Sequence, residues 1–196
     1  MPGIVERSLT LLPPDVVCPD TTSGGLGGPI ELRSRIVQEH RFSFDVDATP
    51  EEVWAVFHGP RPRVVEYGDV RIEILHPGDA EGEGLVRHCH FRVPRYLLSG
   101  GTARSWEWLT QLDRPRSWRY DAVGKPLWSQ ATGVTELEDL GEGRTRVHFT
   151  ETYHVTNPIM RTLLEKRVHA FISRDNDTLM KAGVEAGLRA RRTQVP

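Results

Sequence analysis

The chain has 196 residues, a formal net charge of −2 at pH 7 and a hydrophobic fraction of 38%. That length allows one domain with a substantial core, and the near-balanced charge excludes the broad basic footprint of a nucleic-acid binder. No apolar run reaches the length of a membrane span, and two cysteines, Cys18 and Cys89, make no disulfide framework, as expected for a reducing cytoplasm.

Residues 1–30 read as a flexible arm ahead of a domain spanning 31–192. Pro13-Pro14, Thr21-Thr22-Ser23 and the Gly-rich run from Gly24 to Pro29 offer no hydrophobic period. The patch Leu9 to Leu12 lacks the basic start and cleavage site of a signal peptide. A strand is predicted over Ile30 to Val46, where Phe42, Phe44 and Val46 alternate with polar residues. Thr49-Pro50-Glu51-Glu52 then spells a helix start: a capping Thr, Pro at the first helical position and Glu closing a capping box. That helix carries Val53, Trp54 and Phe57 inward and ends near Gly59-Pro60; a short helical or irregular piece is expected over Arg61 to Gly68. Strands follow at Val70 to Ile74, Leu85 to Val93, Thr102 to Leu112, Trp118 to Val123, Leu127 to Leu137 and Arg144 to Val155. The turns between them are rich in Gly, Pro and Asp. Asn157-Pro158 opens a last long helix, Ile159 to Arg189, with Met160, Leu164, Val168, Phe171, Leu179, Ala182 and Ala186 at helical spacing.

Sequential hairpins between a short and a long helix give an α+β architecture with an antiparallel sheet. That order resembles the helix-grip fold of the START / Bet v 1-like superfamily, also grouped as SRPBCC or polyketide cyclase/dehydrase-like proteins. The likeness is carried by FSFDVDATPEEVWAVF (Phe42 to Phe57), the Gly82-Glu83-Gly84 turn and EWLTQLDRPRSWRY (Glu107 to Tyr120). GEGRTRVHFTETY (Gly141 to Tyr153) and FISRDND (Phe171 to Asp177) complete it, so that it covers about residues 36–190. The resemblance implies a sheet of about seven strands wrapped around the C-terminal helix, with a hydrophobic ligand cavity between them. It supplies no universal catalytic motif and no cofactor.

Several residues are candidates for such a cavity. The strand period of two puts Glu151 and Tyr153 on the face of Val147 and Phe149, so a carboxylate and a phenol point inward. Asp175 falls on the apolar stripe of the long helix, beside Phe171, Arg174 and Thr178. With Glu151 it forms the catalytic candidate, and an ion pair with a neighbouring arginine is the structural alternative. His88 and His90 share one face around Cys89 but lack a third ligand at convincing spacing, so no metal is expected. Trp106 and Trp108 share a face suited to a flat ligand, opposite Glu107, Leu109 and Gln111; the pattern leaves open which face is inward. Tyr96 lies in the loop Pro94 to Gly101, placed either to gate the cavity or to make a dimer contact. Nucleophile elbow, P-loop and dinucleotide fingerprints are absent from the sequence. The expected function is binding of a hydrophobic or aromatic small molecule by a monomer or homodimer. An aromatase/cyclase-like enzyme using cavity acids is the alternative, and a protein-interaction module a third reading.

Overall fold

The computed structural model describes residues 38–60, 62–97 and 99–193; the expected arm, residues 1–30, lies outside them. Strand β1 (Gln38–Val46) leads to helix α1 (Pro50–His58). Thr49 caps α1 as its sequence demands: its hydroxyl accepts from the Glu52 amide, and the Glu52 carboxylate accepts from the Thr49 amide at 2.7 Å. Seven strands follow: β2 (Val64–Tyr67), β3 (Val70–His76), β4 (Val86–Arg92), β5 (Thr102–Asp113), β6 (Ser117–Lys125), β7 (Ser129–Gly141) and β8 (Arg144–Val155). They form one antiparallel sheet of order β1-β8-β7-β6-β5-β4-β3-β2.

The strand count is therefore eight, against about seven expected. The extra strand is β2, in the stretch read as helical or irregular. Among the described residues its few residues pair only with β3, from Val64 opposite Glu73 to Tyr67 opposite Val70, and such a short edge strand has too little alternation to be legible alone.

The C-terminal helix begins with α2 (Pro158–Met160), where the Asn157 side chain accepts from the Ile159 and Met160 amides. A π turn, Arg161–Glu165, leads into α3 (Lys166–Arg192). The buried residues of this helix are Glu165, Val168, His169, Ser173, Val184 and Leu188. Ala182 and Ala186, which the helical spacing places on the apolar stripe, are exposed. The inward face is thus rotated from the predicted stripe and is polar through its middle.

Two apolar clusters hold the domain. In the larger, α1 residues Val53 and Trp54 pack with Val184 and Leu188 of α3 over Phe44, Leu109, Trp118, Val147 and Phe149 of the sheet. The smaller joins Val93, Leu97, Ala103 and Val168, with Phe91, Leu127, Leu164 and Ile172 against it. At roughly 1.5–3 kcal/mol for each fully buried large aliphatic side chain, these clusters are the main favourable term in folding. They also sustain the polar residues buried between them.

Candidate functional site

Strand register lays the polar residues in rows across the inner face. Glu151 of β8 stands opposite His40 of β1 and Gly133 of β7, and Gly133 stands opposite Tyr120 of β6. The row beside it runs from Tyr153 through Ala131 and Ala122 to Glu107 and Arg87. Helix residues Glu165, His169, Ser173 and Asp177 recur every fourth position and so share one helix face. The sheet row and the helix line meet: His40 Nε2 lies 2.7 Å from Asp177 Oδ1, and the Tyr153 ring stacks on His169 at 5.4 Å.

Glu151 is the centre of this belt. It is 6% exposed, and the Tyr120 hydroxyl donates to its Oε1 at 2.6 Å. No arginine pairs with it among the described residues. Burial pushes its carboxyl up to about 7, against the pull of the Tyr120 hydrogen bond. Burial also raises the Tyr120 phenol well above its usual range, helped by the neighbouring Glu151 carboxylate. Burial, and then nearby His40, lowers the imidazole of His169. Below about pH 7, where Glu151 keeps its proton, the 3.9 Å approach of His169 Nε2 to Glu151 Oε2 involves an uncharged carboxyl and is no ion pair. Among the described residues, Glu151 Oε2, His169 Nε2 and Ser173 Oγ are buried and make no hydrogen bond.

Glu107 is held differently: it pairs with Arg87 at 2.7 Å and accepts from Ser105 Oγ at 2.7 Å. Arg87 also sits 5.8 Å from the Tyr120 ring centre. Cys89 is buried beside this pair and its thiol is pushed up by desolvation, which makes it a poor nucleophile.

A small cavity of about 20 Å³, water-sized and partly open to solvent, adjoins the belt, so the expected ligand space between sheet and helix is largely filled by side chains. Phe91, Leu97, Leu127, Val168, Ile172 and Tyr153 contribute to its walls. Tyr153 joins the two regions. Its ring lines the cavity and stacks on His169, while its hydroxyl is raised to about 12 chiefly by burial, against a lowering pull from the Ser129 side chain.

Of the residues singled out from sequence, Glu151 and Tyr153 lie in this belt, and Phe149 lies beneath it in the larger apolar cluster. Asp175 does not join Glu151. It is half-buried on the flank of α3 and makes no side-chain hydrogen bond or ion pair among the described residues; the carboxylate that reaches the sheet is Asp177. Arg174 and Thr178 are exposed and Phe171 is half-buried on the same flank. The tryptophan face, left open by the sequence, is the outer one. Ala103, Ser105 and Leu109 of β5 are buried inward, so Trp106 and Trp108 face away from the helix. His88 and His90 go with them: His88 stands opposite Trp106 and stacks on it at 4.7 Å. Tyr96 is exposed, on a 3-10 turn at Arg95–Leu97. Among the described residues no cluster of three His, Cys, Asp or Glu is placed to hold a metal ion, and no helix is long and apolar enough to cross a membrane.

Sequence reading missed Tyr120, His40, His169 and Asp177. The line from 165 to 177 was present as a polar period of four. It was hidden by the apolar residues interleaved with it, because the period of the helix does not announce which face the sheet covers.

No curated protein matches the chain. Among solved structures, the Zhui aromatase/cyclase from Streptomyces sp. R1128 superposes with a TM-score of 0.58 at 16% identity, covering 81% of this chain and 97% of that one. A START superfamily protein from Mycobacterium smegmatis gives 0.51 at 10% identity, over 81% of this chain and 99% of that one. A norcoclaurine synthase point mutant from Thalictrum flavum, bound to a transition-state analogue, gives 0.52 at 14% identity, over 80% and 97%. These likenesses establish the helix-grip fold. The sequence profile of one family, described as polyketide cyclase / dehydrase and lipid transport, matches residues 38–185. With its eight-stranded antiparallel sheet, its long C-terminal helix and that match over most of its length, the chain belongs to the polyketide cyclase / dehydrase and lipid transport family.

Proposed function

We propose that the protein binds an apolar or aromatic small molecule between the sheet and α3, with a polar group of the ligand directed at Glu151, His169 and Ser173. One observation carries this reading: three buried polar atoms with no hydrogen-bond partner among the described residues stand beside a small apolar cavity, joined to it by Tyr153. A buried polar group left unpaired costs about 1–3 kcal/mol. A ligand carbonyl or hydroxyl reaching the belt offsets that cost, and the apolar side chains of the walls, which must part to widen the water-sized cavity, take the rest of the molecule. Native mass spectrometry of the purified protein, together with titration of the fluorescent probe anilinonaphthalene sulfonate, tests it. Ile172→Trp, which fills the cavity from the helix side, is expected to weaken probe binding at least about tenfold. Binding unchanged in that variant places the ligand elsewhere.

A second reading, small-molecule cyclase or dehydratase, is favoured by the Glu151 carboxyl near 7. A carboxyl poised there serves as acid or base at neutral pH. In the closure of a polyketone, protonated Glu151 would give its proton to the carbonyl oxygen under attack, which becomes a hydroxyl. The attacking enol would release its O–H proton to water. Glu151, left as the carboxylate, would then take the hydrogen from the carbon beside the new carbinol and pass it to that hydroxyl, which leaves as water as the C=C bond forms; a proton from solvent restores the acid. Glu151→Gln is then expected to lose turnover while keeping probe binding. Asp175→Asn, away from the belt, serves as the comparison and retains both.

A further inference from the structure

We infer that the end of the molecule formed by the 3-10 turn, the β6–β7 hairpin and the start of the C-terminal helix docks on an anionic lipid membrane. The inference concerns an outer surface and stands whether or not the cavity holds a ligand.

Exposed large apolar side chains are concentrated there. Trp128 is 63% exposed, Ile159 67%, Leu163 63%, Tyr96 53% and Met160 42%; among the described residues only Leu75 and Val123 are comparable elsewhere. The fold brings these segments together. The Trp128 carbonyl accepts from the Thr156 amide at 3.1 Å and from its hydroxyl at 2.7 Å, which ties the hairpin to the chain entering α2. Leu97, next to Tyr96, packs in one cluster with Leu127, Leu164 and Val168.

The pattern is two-sided. Leu97, Leu127 and Leu164 turn toward the interior, while their chain neighbours Tyr96, Trp128 and Leu163 turn to solvent. Three segments with apolar residues on both sides are costly in water unless the outer side is covered. Trp128 is moreover held at φ 52°, in the left-handed region that a bulky residue avoids. The backbone accepts that strain with the indole in solvent.

Charge selects the covering partner. Exposed Arg95, Lys125, Lys166 and Arg167 surround the apolar side chains, and Lys125 Nζ stands 4.5 Å from the Trp128 ring centre. Residues 92–106 and 122–135 contain no Asp or Glu. Residues 153–174 contain only Glu165, which is buried and accepts from the Val155 amide at 2.6 Å. The whole chain is at −2, so this end is cationic against the overall balance. A second copy docked through the same surface would set these cations against one another. An anionic bilayer satisfies both halves of the pattern, since Trp and Tyr sit at the headgroup level and Lys and Arg pair with acidic lipid.

Sedimentation of the full chain with vesicles tests the inference, using phosphatidylcholine alone and equimolar phosphatidylcholine and phosphatidylglycerol. The wild type is expected to bind the anionic vesicles, more weakly as salt rises, and to leave the neutral ones largely free. Lys166→Glu with Arg167→Glu should weaken binding by at least about fivefold for each cation removed. Trp128→Ser with Leu163→Ser should weaken it about tenfold for each side chain. Both pairs are exposed, so an unchanged melting temperature accompanies these losses. Absence of wild-type binding to the anionic vesicles overturns the inference. So does full binding by both double variants. Wild-type dimers that the Trp128 and Leu163 changes make monomeric, with no vesicle binding, would assign the surface to a second copy instead.

Discussion

At the scale of single residues, Glu151 is the group whose setting differs most from water. Its carboxyl is raised from 4.5 to about 7, so between those values the folded protein holds a proton that the unfolded chain releases. The contribution to stability is therefore full below about pH 4.5 and is lost as pH rises through 7, a swing on the order of 3 kcal/mol. His169 slopes the other way. Burial lowers its imidazole, so the unfolded chain binds that proton more tightly than the fold does, and the contribution of His169 is lost as pH falls. The clean measurement is thus a difference. Denaturation of Glu151→Gln and wild type across neutral pH should show the variant gaining on the wild type as pH rises; parallel curves would mean that Glu151 titrates normally. Gly133 tests the same group from outside. A Cβ there would meet the Tyr120 ring, whose hydroxyl holds Glu151. Gly133→Ala should cost about 1–3 kcal/mol through overpacking. By moving Tyr120 it should also raise the Glu151 carboxyl further, seen as a shift of the stability–pH curve to higher pH.

At the scale of elements, the interface of α1 with α3 fixes how deep the long helix lies. A Cβ on Gly187 would stand 2.6 Å from Val56 Cγ1, so the glycine permits close approach of the two helices. Gly187→Ala should destabilise the fold by about 1–3 kcal/mol. Val56→Ala in the same chain should return part of that loss, where two independent sites would simply add. The other end of the helix is set by Asn157. Removing that cap with Asn157→Ala should cost about 1 kcal/mol in a denaturant melt. Both effects matter for the site, because His169 and Asp177 reach the sheet only while α3 keeps its depth and rotation.

At the scale of the molecule, the two apolar clusters lie on either side of the polar belt. Strand pairing is just as uneven. β7 and β8 are paired along their length on both sides, whereas β2, among the described residues, pairs only with β3. Hydrogen exchange should accordingly be slowest in β7 and β8 and fastest in β2, and uniform protection across the sheet would contradict this division. A ligand seated at the belt should slow exchange in β8 and the facing turns of α3, which links the stability map to the proposed function.

The sequence by itself determined the order of elements apart from β2, the capping box at Thr49, the strands from β3 to β8 and the inward direction of Glu151 and Tyr153. These are local matters: a cap needs residues three apart, and a strand face follows a period of two. From the same local patterns came the likeness to the helix-grip fold. Tertiary structure alone decided which face of β5 is inward, because Trp106 and Glu107 are equally good neighbours until a helix covers one side. It also decided that Asp177, rather than Asp175, meets the sheet. The rotation of α3 is set by its close packing at Gly187 and by the π turn at its start, and neither can be read from the spacing of apolar residues. The polar belt is the product of that docking, since Tyr120, Glu151 and His169 are far apart in the chain and become one site only when the sheet closes on the helix.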